Sequence, residues 1–265
     1  MNLLETVILG IIQGLTEWLP ISSTGHLRVA ERLVGLQVPI LFDGVLHLGT
    51  LMVTLIFFRK DLKELLAALR RRDFKSEKGQ LILPIIVGTV PTALIGVFLG
   101  STIETFFSQL LPIAGAFFAC GVVLYISKIG REKTNRVGLL EAVAIGTAQG
   151  IAIIPGASRS GLTIAVALLL GLKREKAFNF SFLLSVPAII GALGLTLYEQ
   201  HAALAAAGIG WIELIAGVGV SMVTGYFALR ILQKIVVGRK FYLFAFYCWL
   251  FGILLLAFSF SGFEP

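Results

Sequence analysis

The sequence predicts an all-α integral membrane protein in which six transmembrane helices and two re-entrant helical hairpins form an inverted repeat. Three observations lead there. Of the 265 residues, 57% are hydrophobic and 14% are charged, whereas a soluble domain carries roughly 25% charged residues. The basic residues gather in short connections between apolar runs. Two polar stretches that echo one another, Gln13–His26 and Gln149–Gly161, sit inside otherwise apolar sequence. Each begins Gln-Gly, runs through a short apolar segment to a proline, and then breaks into small hydroxylated residues.

Met1–Ile12 is apolar but too short to cross a bilayer, which takes about 20 helical residues. It leads into the first polar stretch, and Leu27–Leu36 then returns carrying Arg28, Glu31 and Arg32. This is the pattern of a hairpin that enters and leaves on one side, tolerated where protein covers it or where it lines a wet cavity. Phe42–Phe58 is the first crossing, with Asp43 at its mouth and His47 one turn in. Arg59–Lys78 is strongly basic, and Leu62, Leu65, Leu66 and Leu69 recur in it at helical spacing, which predicts an interfacial amphipathic helix. Leu81–Gly100 and Pro112–Ser127 are further crossings, and Lys128–Arg136 is again basic. Leu139–Ile154 and Ser160–Leu172 form the second hairpin; Ala177–Leu197, Trp211–Leu232 and Phe241–Phe260 complete the crossings.

The chain reads as one membrane domain over 1–265, with a first repeat of about 1–128 and a second of about 137–261. If the basic connections are cytoplasmic, the first hairpin enters from outside and the second from inside. Three crossings separate them, and an odd number inverts the second half. The net charge of +7 then reports topology, and no nucleic-acid partner is expected. Cys120 and Cys248 lie in apolar segments and read as small buried hydrophobes. No basic region or small-residue cleavage site precedes Gln13, so a removable signal peptide is not expected.

The polar stretches carry the chemistry. Pro20 and Gly25 shape a tight path around Ser22, Ser23 and Thr24, whose amides and hydroxyls suit an anion. Ser158, Ser160 and Gly161 repeat those ingredients around Arg159, whose planar fork suits a pair of phosphate oxygens. His26 can move a proton, and Glu17 can hold a divalent cation or polarise a hydroxyl. Together they make a phosphoryl-transfer kit. Ser, Thr and Gly also let membrane helices pack closely, so any single hydroxyl has a structural alternative. Glu17 and Arg159 are harder to explain that way, because ionisable groups at membrane depth are costly. Asp43 and His47 either line the cavity or sit at a crossing's mouth.

Gln-Gly-Leu-Thr-Glu-Trp-Leu-Pro-Ile-Ser-Ser-Thr-Gly-His, followed by Pro155-Gly-Ala-Ser-Arg-Ser-Gly161 and Phe180-Ser-Phe-Leu-Leu-Ser-Val-Pro187, resembles the undecaprenyl-diphosphate phosphatases, the bacitracin-resistance membrane family. The resemblance spans the whole chain. It implies hydrolysis of a polyprenyl diphosphate to the monophosphate, recycling the lipid carrier for wall or glycan assembly, in a plasma membrane; the loop charges alone predict that the site opens to the outer side. It further implies a divalent cation, Mg2+ or Ca2+, and leaves room for a homodimer. The family's acidic motif falls on Gln13 and Glu17, its serine and histidine on Ser23 and His26, and its phosphate-binding arginine on Arg159. Some members have glutamate where this chain has Gln13, a poorer metal ligand. The expected reaction has Ser23 attacking the terminal phosphorus with His26 moving the proton, His26 as nucleophile being the variant. The rival is a transporter or flippase of a polyprenyl phosphate lipid, since inverted repeats also serve alternating access. Against it, Glu17 and His26 have no titratable counterpart in the second stretch.

Overall fold

The computed structural model describes residues 2–36, 40–107, 109–206 and 210–260, with residues 40, 41, 104 and 199–206 described by their backbone alone. Its helices are α1 (Leu3–Trp18), α2 (Ser23–Val34), α3 (Ile40–Phe57), α4 (Arg59–Arg71), α5 (Ile82–Phe106), α6 (Leu110–Ile126), α7 (Leu139–Ile151), α8 (Arg159–Leu169), α9 (Arg174–Ala206), α10 (Trp211–Val237) and α11 (Phe244–Phe260). Among the described residues β pairing is limited to one isolated bridge, Thr134 with Leu172.

Among the described residues five helical segments are long and apolar enough to cross a membrane: Gly79–Ile103, Leu110–Ile129, Arg174–Tyr198, Trp211–Val237 and Phe241–Phe260. A sixth is counted if α3 and α4, bent by 75° at their junction, are one broken span. Of the four leucines expected to form one apolar face of α4, Leu62 and Leu65 pack on the core while Leu66 and Leu69 are exposed. The turn that follows α4 is tied by Asp73, whose carboxylate accepts the amides of Lys75 and Ser76, each at 3.1 Å. Those two bonds, Ser76 first, hold this exposed carboxyl below its ordinary value.

Several boundaries differ from the sequence reading, α5 running on past Gly100 to Phe106 and α10 past Leu232 to Val237. Helix α9 runs 33 residues, past the connection expected from Tyr198, because the Ala-rich Glu199–Ala206 is made of good helix formers. Helix α7 stops at Ile151 rather than Ile154, ahead of Pro155, whose ring cannot continue it.

Helices α1 and α7 are short, 16 and 13 residues, or about 24 and 20 Å, against a hydrocarbon core of about 30 Å. Each lies along a long helix from the other half of the chain, α1 on α10 and α7 on α5, while α6 packs on α11. Small residues make those contacts close. A Cβ on Gly14 would stand 2.5 Å from the Ser221 carbonyl oxygen, and Gly146 faces the backbone of Gly88, where Thr92 Oγ1 donates to the Gly146 carbonyl at 2.8 Å. Cys120 and Cys248 are free and buried. Trp18 is buried as packing, whereas Trp211 is exposed on the apolar exterior.

Ion pairs draw the basic connections together at one end. Arg174 and Arg239 share Glu132, and Lys176 Nζ lies 4.0 Å from Glu77 Oε1. The basic stretches around 77, 132, 174 and 239 therefore share one face of the bundle, the grouping that the loop charges predicted.

Candidate active site

Two breaks, one after α1 and one after α7, meet inside the bundle. Pro20 ends α1: Leu19 before it is extended, at φ −65°, ψ 145°, as the ring of a following proline demands. Ser22 then sits at φ 64°, a left-handed conformation that a side chain rarely adopts. Two amides hold it there. Its Oγ accepts from Gly25 N at 3.4 Å and from Gly156 N of the other break at 3.0 Å. Gly156 has φ +97°, and a Cβ there would lie 2.6 Å from the Ile113 carbonyl oxygen.

The second break fastens to the first in the same way. Ser160 Oγ donates to the Trp18 carbonyl at 2.8 Å, and Ser158 Oγ lies 3.5 Å from the Leu19 carbonyl and 3.2 Å from Ser160 Oγ. Ser158 also caps α8, accepting from Gly161 N at 3.1 Å. A Cβ on Gly161 would crowd Pro20 Cβ at 3.2 Å. Ser22, Ser158 and Ser160, read from sequence as phosphate donors, thus spend hydrogen bonds on stitching the breaks together. Thr24 is half-buried beside them.

Glu17, 6% exposed, is the centre. Its Oε1 pairs with Arg159 Nη2, so a carboxylate from the first break meets a guanidinium from the second. Its Oε2 accepts from Ser23 Oγ at 2.6 Å and from Gln13 Nε2 at 3.1 Å, and lies 3.2 Å from His47 Nε2. Arg159 stands 5.8 Å from the Trp18 ring centroid, within cation–π reach.

His47 is held at both ring nitrogens. Its Nδ1 is 2.7 Å from the Asp43 carbonyl oxygen and its Nε2 faces the Glu17 carboxylate. The carbonyl only accepts, so Nδ1 donates to it and Nε2 is the nitrogen presented to Glu17. Arg159 and His47 thus flank one carboxylate from opposite sides.

His26 is placed otherwise. Its Nδ1 donates to the Ser22 carbonyl at 2.8 Å, leaving Nε2 as an acceptor for Tyr247 O–H at 2.8 Å. The ring stacks on Phe251 at 4.1 Å between centroids and meets Phe117 edge-on. Among the described residues it is His47, not His26, whose imidazole lies on Glu17. His26 nevertheless shares a face of α2 with Ser23, three residues apart. Tyr247 was not found from sequence: 221 residues separate it from His26, and an aromatic residue in an apolar span carries no signal. Asp43 is buried on α3 one turn before His47, and its Oδ1 has no hydrogen-bond partner.

The chain is similar to known proteins along nearly its whole length. The undecaprenyl-diphosphatase of Carboxydothermus hydrogenoformans is 43% identical over 269 residues, covering 99% of each chain. That of Desulforapulum autotrophicum is 40% identical, covering 96% of this chain and 97% of its own. That of Methanosphaera stadtmanae is 37% identical, covering 98% and 99%. The family model described as bacitracin resistance protein BacA matches residues 6–254, both breaks included, and the chain belongs to that family.

Proposed function

We propose that this protein is a membrane undecaprenyl-diphosphatase that hydrolyses a polyprenyl diphosphate to the monophosphate and inorganic phosphate. The observation that carries the reading is Ser23 Oγ at 2.6 Å from a Glu17 carboxylate that also pairs with Arg159: nucleophile, proton acceptor and phosphate ligand in one buried cluster. The names of the relatives point the same way and away from a transporter.

The diphosphate enters with its tail in lipid between helices and competes with Glu17 for Arg159 and His47. As those side chains turn to the phosphoryl oxygens, Glu17 is left free to take the Ser23 proton. Ser23 Oγ attacks the terminal phosphorus and the bond to the bridging oxygen breaks, releasing the polyprenyl monophosphate. Water then attacks the phosphoserine. His26, whose Nδ1–H is fixed on Ser22, takes that water's proton at Nε2 once the Tyr247 hydroxyl that Nε2 accepts turns away, while Glu17 returns its own to Ser23. The sequence reading gave both proton transfers to His26; the hydrogen bond from Ser23 to Glu17 supports giving the first to Glu17.

A divalent cation fits here as one shared with the diphosphate. Gln13 Oε1 is buried and unpartnered on the amide whose Nε2 donates to Glu17, and hard cations take such oxygens. Among the described residues no three His, Cys, Asp or Glu converge to hold an ion by themselves. Glu17 and Gln13 would be its protein ligands, and Mg2+ or Ca2+ bound there would offset charge on the phosphoryl oxygens.

The helix pairing supports an inverted repeat of six crossings and two re-entrant hairpins, since exchanging the halves maps α1 on α10 onto α7 on α5. With the basic end in the cytoplasm of the plasma membrane, the first hairpin and its Glu17 enter from outside.

The test is phosphate release from undecaprenyl diphosphate by the detergent-purified protein, followed by trapping the phosphoenzyme. Release with label on Ser23 supports the reading. Label on an imidazole nitrogen would replace Ser23 with a histidine, and no release by folded protein would turn attention to lipid flipping in liposomes.

A further inference from the structure

At the basic end of the bundle, away from Glu17, lies a cavity of about 550 Å3 among the 3-10 turn that ends α6, the start of α9 and the turn before α11. The eleven residues of α8, about 16 Å of helix, separate Arg159 from the turn leading to it. Lys128, Arg131, Arg174 and Arg239 line the cavity, with Glu132 as the acidic residue in its lining. Glu132 Oε1 is already shared by Arg239 at 2.9 Å and Arg174 Nε at 3.5 Å. The second distance is too long to satisfy a donor well, and the buried Arg174 Nε–H has no hydrogen-bond partner. Lys128 Nζ stands 3.7 Å from the Tyr125 ring centroid and 5.9 Å from that of Tyr242.

From this we infer that the cavity is a second anion site, one that takes a phosphoryl group at the membrane surface, carried by an anionic phospholipid headgroup or by free phosphate. Topology alone accounts for basic residues on this face, but it does not require them to converge on a cavity or to leave a buried guanidinium N–H unspent. Three guanidinium forks match phosphoryl oxygens better than a single carboxylate can. Tyrosines and a lysine stem at the same level are the usual furniture of the headgroup region. Basic pockets between transmembrane helices on this side of a membrane recognise phospholipid headgroups. The inference does not depend on the hydrolase reading.

The test measures binding rather than turnover. Purified full-length protein in neutral detergent is titrated by calorimetry with short-chain phosphatidylglycerol, short-chain phosphatidylcholine and inorganic phosphate. The variants are R131Q/R239Q, which alters two exposed residues of the rim, and K60Q/K63Q, which removes the same charge from the exposed surface of α4. Phosphatidylglycerol should bind the wild type and K60Q/K63Q alike, and R131Q/R239Q about thirtyfold more weakly, the factor for two basic contacts to an anionic headgroup. Phosphatidylcholine should bind at least that much more weakly to the wild type. Competition by inorganic phosphate would identify the free anion as a ligand too; phosphatidylglycerol binding without such competition would assign the site to the lipid. Equal affinity in R131Q/R239Q, an equal loss in K60Q/K63Q, or no binding of either anion would overturn the inference.

Discussion

Glu17→Gln is the substitution that tests the centre most directly. It replaces one carboxylate oxygen with an NH2 group at a position where every neighbour donates: Arg159 on one side, Ser23, Gln13 and His47 on the other. One of those sets must then face a donor. Stranding one side of a buried ion pair costs about 3–5 kcal/mol. His47 and Arg159 are 25% and 21% exposed, so water recovers part of this and the lower end, about 3 kcal/mol, is expected. Activity should fall by about 10²–10⁴, the contribution of a positioned general base. Adding His47→Gln removes one stranded partner of Glu17, so E17Q/H47Q should be more stable than E17Q by about 1–2 kcal/mol, a coupling in the usual range for contacting residues. It should regain no activity. Thermal unfolding in detergent and phosphate release from undecaprenyl diphosphate read the two effects separately. Stabilities that simply add, or an E17Q protein keeping more than about a tenth of wild-type activity, would refute both the charge balance and the assignment of Glu17 as proton acceptor.

Arg159→Lys keeps the charge but loses the fork that can leave Glu17 for two phosphoryl oxygens, so kcat/KM should drop by about 10²-fold with little change in unfolding temperature; unchanged kinetics would remove Arg159 from phosphate binding. Tyr247→Phe deletes the hydrogen bond to His26 Nε2 but keeps the ring stack. Activity should therefore fall by about three- to tenfold, well short of His26→Ala, and a Tyr247→Phe enzyme as impaired as His26→Ala would show that Tyr247 itself acts on substrate. Gln13→Glu adds a second carboxylate beside Glu17 and should lower the Mg2+ concentration giving half-maximal phosphate release by roughly tenfold, since carboxylate count tunes such sites. An unchanged cation requirement would move the ion away from Gln13.

Much of the fold was legible from sequence because the bilayer is a severe solvent. A segment such as Phe244–Phe260 can only be a buried or lipid-facing helix, and the basic stretches around Lys78, Glu132, Arg174 and Arg239 mark one face. The two breaks were legible too, since Pro20 and Pro155 stop their helices for covalent reasons that no packing reverses. The extension of α9 past Tyr198 was not, because Ala-rich sequence is compatible with helix or connection until neighbours fix it.

In the site, sequence alone determined which chemistries were available: one carboxylate, one arginine and a run of hydroxyls at membrane depth, with little else to explain them. What only the tertiary structure decided is who touches whom. Nine residues after Glu17 the sequence offers His26, yet the helix directs that ring to Tyr247 and Phe251, and α3 brings His47 in its place. Likewise Ser22, Ser158 and Ser160 look like anion ligands but are drawn into the seam between the breaks, because buried backbone amides and carbonyls freed by each proline need partners that lipid cannot supply. Residue type sets what a side chain can do, and its neighbours across the fold set which of those it does.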